Sequence, residues 1–221
     1  MPKTKPSPFH LSLAAACLAL AALPAAADWV EVRQVEKEIL LGDAPRVHVK
    51  LSVGDLTVEG IDGSRVEVEL KLECNRQDLE GACKARADRI LLAPRMGKKE
   101  LKVRLKRTSQ GRMKGIRARM TVRMPRGVPL EVDVTGGAVY VTGLTSHLNI
   151  NSGTGDVDVL ATRAGTQEVK ATAGFGHADL WLGDGRIKGT GWPKAINWKG
   201  SGSARIDIDV VGSGEISVRL E

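Results

Sequence analysis

The stretch Leu148-Asn149-Ile150-Asn151-Ser152-Gly153-Thr154-Gly155-Asp156-Val157-Asp158-Val159 decides the fold class. Leu148 and Ile150, then Val157 and Val159, alternate with polar residues on either side of Gly-Thr-Gly. Alternation at period two puts the apolar side chains on one face of a half-buried strand. The unit reads as strand, glycine turn, strand. A turn this tight needs a residue at positive φ, which glycine reaches without steric cost. A phosphate-cradling loop would need a helix after the glycines to present its amides; here a strand follows.

Working outward, the same unit recurs. Val132–Val141 is built around Gly136-Gly137, and Val169–Leu182 around Gly174-Phe175-Gly176. Ile196–Val210 turns at Gly200-Ser201-Gly202, and Ile208–Leu220 at Gly212-Ser213-Gly214. Units this small cannot bury their own apolar side and must stack on neighbours. Upstream, Val47, Val49 and Leu51, then Leu56 and Val58, then Val66, Val68, Leu70 and Leu72 alternate in the same way. One segment breaks the period. Leu79, Ala82, Cys83, Ala85, Ala87, Ile90 and Leu91 fall largely at helical spacing ahead of Pro94, which predicts one helix over residues 77–92. The expected fold is mostly β: a β-solenoid-like or twisted β-sandwich repeat stack with that one helix. Residues 28–127 form an N-terminal β region with the helix and a basic hairpin. Residues 128–221 form the glycine-turn region, continuous with it as one domain.

Residues 1–27 have the parts of a secretory signal peptide. Lys3 and Lys5 precede the uncharged run Leu11–Leu23; Pro24 breaks it, and Ala25-Ala26-Ala27 offers a cleavage site after Ala27. The run is 13 residues, short of the roughly 20 a spanning helix needs, and no later stretch is long and apolar enough to span. Cys17 opens the alternative of a lipid anchor, but Ala14-Ala15-Ala16 before it is a poor lipobox. The mature chain is expected in the periplasm or secreted. It keeps Cys74 and Cys83, which in an oxidising compartment suggest one disulfide.

Charge is concentrated. Residues 28–83 carry 7 basic and 13 acidic residues, 84–126 carry 16 and 2, and 128–221 carry 8 and 11. Lys102, Arg104, Lys106, Arg107, Arg112, Lys114, Arg117, Arg119 and Arg123 crowd two strands and the loop between them. If those strands pair, cations line one face, and like charges side by side cost stability. The face is a candidate anion-binding surface for a lipid headgroup, lipopolysaccharide or acidic polysaccharide, or for a protein partner. The alternative is neutralisation within the chain by the acidic strand bearing Glu67, Glu69 and Glu73. Nucleic acid suits the charge but not the compartment.

Other chemistries have less support. His48, His147 and His177 are far apart, and no Cys/His pair has zinc-ligand spacing. His177 and Asp179 share a strand face, as a surface pair does. Asp156 with Asp158, and Asp207 with Asp209, are weak calcium candidates; Asp156 follows Gly155 one place too early for the calcium-binding nonapeptide. Serines in the glycine turns lack the nucleophile-elbow pattern. Trp181, Trp192 and Trp198 either form a sugar-binding patch or cap the end of the stack. No cofactor is expected.

The order of parts has a counterpart. Met124-Pro125-Arg126-Gly127-Val128-Pro129-Leu130-Glu131-Val132, followed by Gly-Asp-Val turns such as Gly155-Asp156-Val157, resembles the bacterial putative adhesin domain family over about residues 30–221. The resemblance implies an all-β repeat fold in an exported protein and supplies no catalytic residues. The reading is therefore a non-catalytic binding or scaffolding protein of the envelope. The alternatives are an envelope enzyme acting on polysaccharide, which needs paired carboxylates in a cleft, and a structural module that self-associates through strand edges.

Overall fold

The computed structural model describes residues 29–42, 44–76, 82–107 and 115–221. The expected signal peptide, Cys17, the first part of the expected helix, and Arg112 and Lys114 lie outside the described residues. The chain is nearly all β. Its strands are β1 (Trp29–Leu40), β2 (Val47–Leu51), β3 (Asp55–Ile61), β4 (Arg65–Asn75), β5 (Ile90–Leu92), β6 (Arg95–Met96), β7 (Leu101–Arg107), β8 (Ile116–Pro125), β9 (Leu130–Gly136), β10 (Val139–Thr142), β11 (Leu148–Thr154), β12 (Val157–Ala161), β13 (Thr166–Leu182), β14 (Gly185–Lys188), β15 (Lys194–Lys199) and β16 (Ala204–Leu220). A five-residue helix α1 (Cys83–Ala87) separates β4 from β5.

All sixteen strands join one sheet that folds back on itself into a nearly closed, barrel-like surface. The long strands β13 and β16 run through both halves. In the first half the order is β7, β2, β9, β11, β16, β13, with every adjacent pair parallel. In the second it is β1, β4, β8, β3, β10, β12, β16, β13; β1–β4 and β4–β8 are antiparallel and the rest parallel. Register aligns the apolar positions into rows. Val49, Val132, Ile150, Ile208 and Ala171 form one inner row of the first half. Val58, Val141, Val159, Val218 and Leu180 form an inner row of the second. These side chains are buried together as one core between the halves.

The corners between halves explain the glycines. Gly54, Gly137, Gly155 and Gly176 have φ between +114° and +147°. A Cβ on Gly137 would stand 2.0 Å from the Gly54 carbonyl oxygen, on Gly155 2.2 Å from that of Gly137, on Gly214 2.1 Å from that of Gly155, and on Gly176 1.9 Å from that of Gly214. The corners nest so closely that only hydrogen fits between successive backbones.

Three expectations are corrected. First, the fold is not a β-solenoid or a repeat stack. A solenoid adds its units in chain order, whereas β16 lies between β11/β12 and β13, which precede it in the chain. Gly200-Ser201-Gly202 is likewise no stacked corner; it carries β15, antiparallel to β13, across to β16 on the other side of β13. Second, the helix does not extend to residue 92. The Arg33 guanidinium donates to the carbonyls of Ala87, Asp88 and Ile90 at 3.1, 2.8 and 2.9 Å, gathering the carbonyls at the helix end and at the start of β5. Ile90 and Leu92 then alternate into the core and pair with β7. Third, the basic strands do not form a hairpin. β7 pairs with β2, β5 and β6, and β8 pairs with β3 and β4 in the other half. The Cys74–Cys83 disulfide is formed, with Cα atoms 6.2 Å apart, and ties the end of β4 to the start of α1.

Candidate functional site

The densest polar cluster lies on the outer face of the first half, where β7, β2, β9 and β11 run side by side. Register places Lys102, His48, Glu131 and Asn149 in one outer row, and Arg104, Lys50, Asp133 and Asn151 in the next. Glu100, just before β7, reaches into the cluster. His48 is only 5% exposed although it points outward, because charged neighbours roof it. Its Nδ1 lies 3.3 Å from Glu100, and its Nε2 lies 2.9 Å from Asp133 and 3.9 Å from Glu131. Arg46 bridges Glu100 at 3.2 Å and Glu131 at 3.5 Å. Lys50 reaches Asp133 at 2.7 Å, and Lys102 reaches Glu100 at 2.8 Å.

The electrostatics follow from these contacts. The Lys102 hydrogen bond, helped by the charge of Lys102 and the contact with His48, holds Glu100 down at about 2. Burial works against ionisation of Asp133, but hydrogen bonds from Lys50, His48 and Asn151 outweigh it and lower its pKa to about 2. Lys50 is raised by its bond to Asp133. Donor atoms of His48, Glu100 and Glu131 lie within 4.8 Å of one another, a nitrogen-and-oxygen set of the kind that holds a divalent metal. Arg46 and Lys102 already occupy those carboxylates, and three cations balance three anions. The cluster's chemistry is that of a fastening: it clips the segment entering β7 onto β2 and β9. Sequence reasoning named His48 but not its partners, which stand 52, 83 and 85 positions away, beyond any local motif. The available signal was the outward phase of His48 and Lys50 on one strand and of Glu131 and Asp133 on another.

The basic residues divide between the two halves. On β8, Arg117 donates twice to Asp55 at 3.0 and 2.6 Å, Arg119 meets Glu73 at 3.2 Å, and Arg123 meets Glu59 at 2.9 Å. Strand β4, bearing Glu67, Glu69 and Glu73, lies directly beside β8. On β7, Lys102 is held by Glu100. Arg104 and Lys106 are exposed, and no carboxylate among the described residues lies within salt-bridge distance of them. The Arg107 side chain lies outside the described residues.

The remaining candidates do not assemble. Asp158 lies on the outer face of the second half and Asp207 and Asp209 on that of the first. Asp156 accepts the Glu215 amide at 2.9 Å in the corner. Asp179 is bound twice by Arg186, at 2.8 and 2.5 Å, which lowers its pKa and leaves His177 out of the pair. Trp198 packs against the core, and Trp181 lies under the Arg186 guanidinium at 4.8 Å. Trp192 stands edge-on to Phe175 at 5.1 Å and is 72% exposed.

No family model and no curated protein matches the chain. Solved structures with related chain traces include a "putative cell adhesion protein" from Clostridium sporogenes, at 13% identity and a TM-score of 0.49, covering 86% of this chain and 99% of its own. A "putative adhesin" from Bacteroides fragilis shows 12% identity and a TM-score of 0.31, covering 84% and 97%. A "putative lipid binding protein" from Parabacteroides distasonis shows 8% identity and a TM-score of 0.23, covering 86% and 97%.

Proposed function

We propose that this chain works outside the cytoplasm as a non-catalytic, adhesin-like binding module that attaches to an anionic envelope component through the cationic edge at β7. The observation that carries the reading is the difference between the two basic strands. The arginines of β8 are each matched by a carboxylate of the same molecule, whereas Arg104 and Lys106 face outward beside Lys102 with no carboxylate among the described residues within salt-bridge distance. Arg95 stands next to Lys102 in the register and adds to the same edge. Such a surface attracts phosphate or carboxylate groups over about a Debye length. The His48 cluster fixes the strand that presents it. The disulfide fits an oxidising compartment.

The test is binding to lipopolysaccharide and to acidic polysaccharide at low and high salt. Charge reversal at Lys102, Arg104 and Lys106 is expected to abolish salt-sensitive binding, and reversal at Arg117 and Arg119 to leave it largely intact. Equal loss from both sets, or from neither, would remove β7 as the attachment edge.

A further inference from the structure

The opposite end of the sheet carries a different surface. Strands β14 and β15 each pair with β13 alone and form its outer margin. The turn between them is held over the β13 corner: Gly189 donates to the Ala178 carbonyl at 2.7 Å, and Thr190 bridges to Ala195. This fixes two aromatic rings in the open. Trp192 is 72% and Phe175 59% exposed although they touch, and Val211 at 69% and Ile187 at 39% lie on neighbouring strands. Single exposed apolar residues need no explanation, but two large aromatic rings in contact and both mostly exposed do. Residues 185–199 also hold Arg186, Lys188, Lys194 and Lys199 and no carboxylate. Arg186 is committed to Asp179; Lys188, across from Asp179 in the register, and Lys194 lie four positions before and two after Trp192, with no carboxylate among the described residues within salt-bridge distance.

We propose that this margin seats on an anionic phospholipid surface, with Trp192 and Phe175 at the boundary between headgroups and acyl chains and Lys188 and Lys194 on the headgroup phosphates. Two features favour a bilayer over a folded partner. Trp192 on the turn after β14 and Phe175 in the β13 corner present their rings openly with no pocket around them, which a fluid interface accommodates and a shaped protein surface would have to match. Tryptophan is also suited to this depth, with an apolar ring and an N–H that stays hydrated. The lysines select anionic headgroups, each worth about fivefold in partitioning. This surface is separate from the β7 edge, so the two can be varied independently.

The experiment uses the full chain with phosphatidylcholine vesicles and with phosphatidylcholine–phosphatidylglycerol vesicles, some carrying brominated acyl chains. The expected result is stronger binding to the anionic vesicles and quenching of tryptophan emission by bromine. Trp192→Ala should lose most of that quenching, and Lys188→Gln with Lys194→Gln should weaken anionic partitioning by about fivefold per lysine. Absence of vesicle binding by the wild type, or quenching that survives Trp192→Ala, overturns the proposal. Charge reversal at Lys102, Arg104 and Lys106 should leave the quenching in place; its loss there would assign the lipid contact to β7 and overturn this one.

Discussion

The nested corners allow a stability test in which conformation and contact are separated. Four glycines differ in the two properties that matter. Gly127 has neither positive φ nor any atom within 4 Å of an added Cβ. Gly63 has φ +127° and open space, Gly153 has ordinary φ and a carbonyl oxygen 2.5 Å away, and Gly137 has φ +126° and a carbonyl oxygen 2.0 Å away. Replacing each by alanine removes unfolded-state entropy equally, worth roughly 0.4–1 kcal/mol in favour of folding, so differences among the four isolate the native state. Gly63→Ala should cost about 1–2 kcal/mol for the backbone. Gly153→Ala should cost about 1–3 kcal/mol for the forced separation of backbones. Gly137→Ala carries both and should cost about 4 kcal/mol, a fall in Tm of roughly 8–16 °C for a chain this size. Gly127→Ala should stay within about 0.5 kcal/mol of wild type. Urea unfolding of the four variants with a shared m-value measures the series. If Gly137→Ala matches Gly63→Ala, which has the same φ, the nesting is not what restricts these positions.

Two further predictions concern the covalent and ionic ties. Breaking the disulfide, by reductant or by Cys74→Ser with Cys83→Ser, reopens a loop of nine residues' separation and should cost about 2.5 kcal/mol on the chain-entropy model; a wild-type urea midpoint indifferent to reductant would contradict this. Glu100 and Asp133 are both held at about 2 in the folded protein. Their contribution is present above the ordinary carboxylate range and is lost as pH falls towards 2. Stability should therefore decline from about pH 5 downward, less steeply in Asp133→Asn, and an unchanged slope in that variant would show that the His48 cluster adds nothing.

Much of the local structure was legible in residues 148–159 and their repeats, because period-two burial and positive φ are properties of short segments. Val49, Ile150 and Val159 face the core as their alternation requires. The disulfide followed from two cysteines in an oxidising setting. What local pattern cannot carry is which unit neighbours which. The β16 segment looks like one more unit, and nothing in its residues says that it lies inside earlier ones. The carbonyls at the end of α1 are met by Arg33, more than fifty positions upstream. Arg117, Arg119 and Arg123 read as one stripe with β7 along the chain; in space each strand sits among different neighbours, and the acidic strand β4 lies beside β8.

The placement of β16 has a consequence for how the molecule comes into being. Residues 204–220 supply the second partner of β11 and of β12 and the parallel partner of β13. A polypeptide emerging from its N-terminal side can pair strands within each half, such as β9 with β11 and β10 with β12, before the halves are joined. The two halves join into one sheet only when that segment arrives, and the chain should fold slowly for its size because these closing contacts are so distant in sequence. Until then the edges of β11, β12 and β13 that β16 will cover are open to mispairing, and they need protection for as long as closure takes.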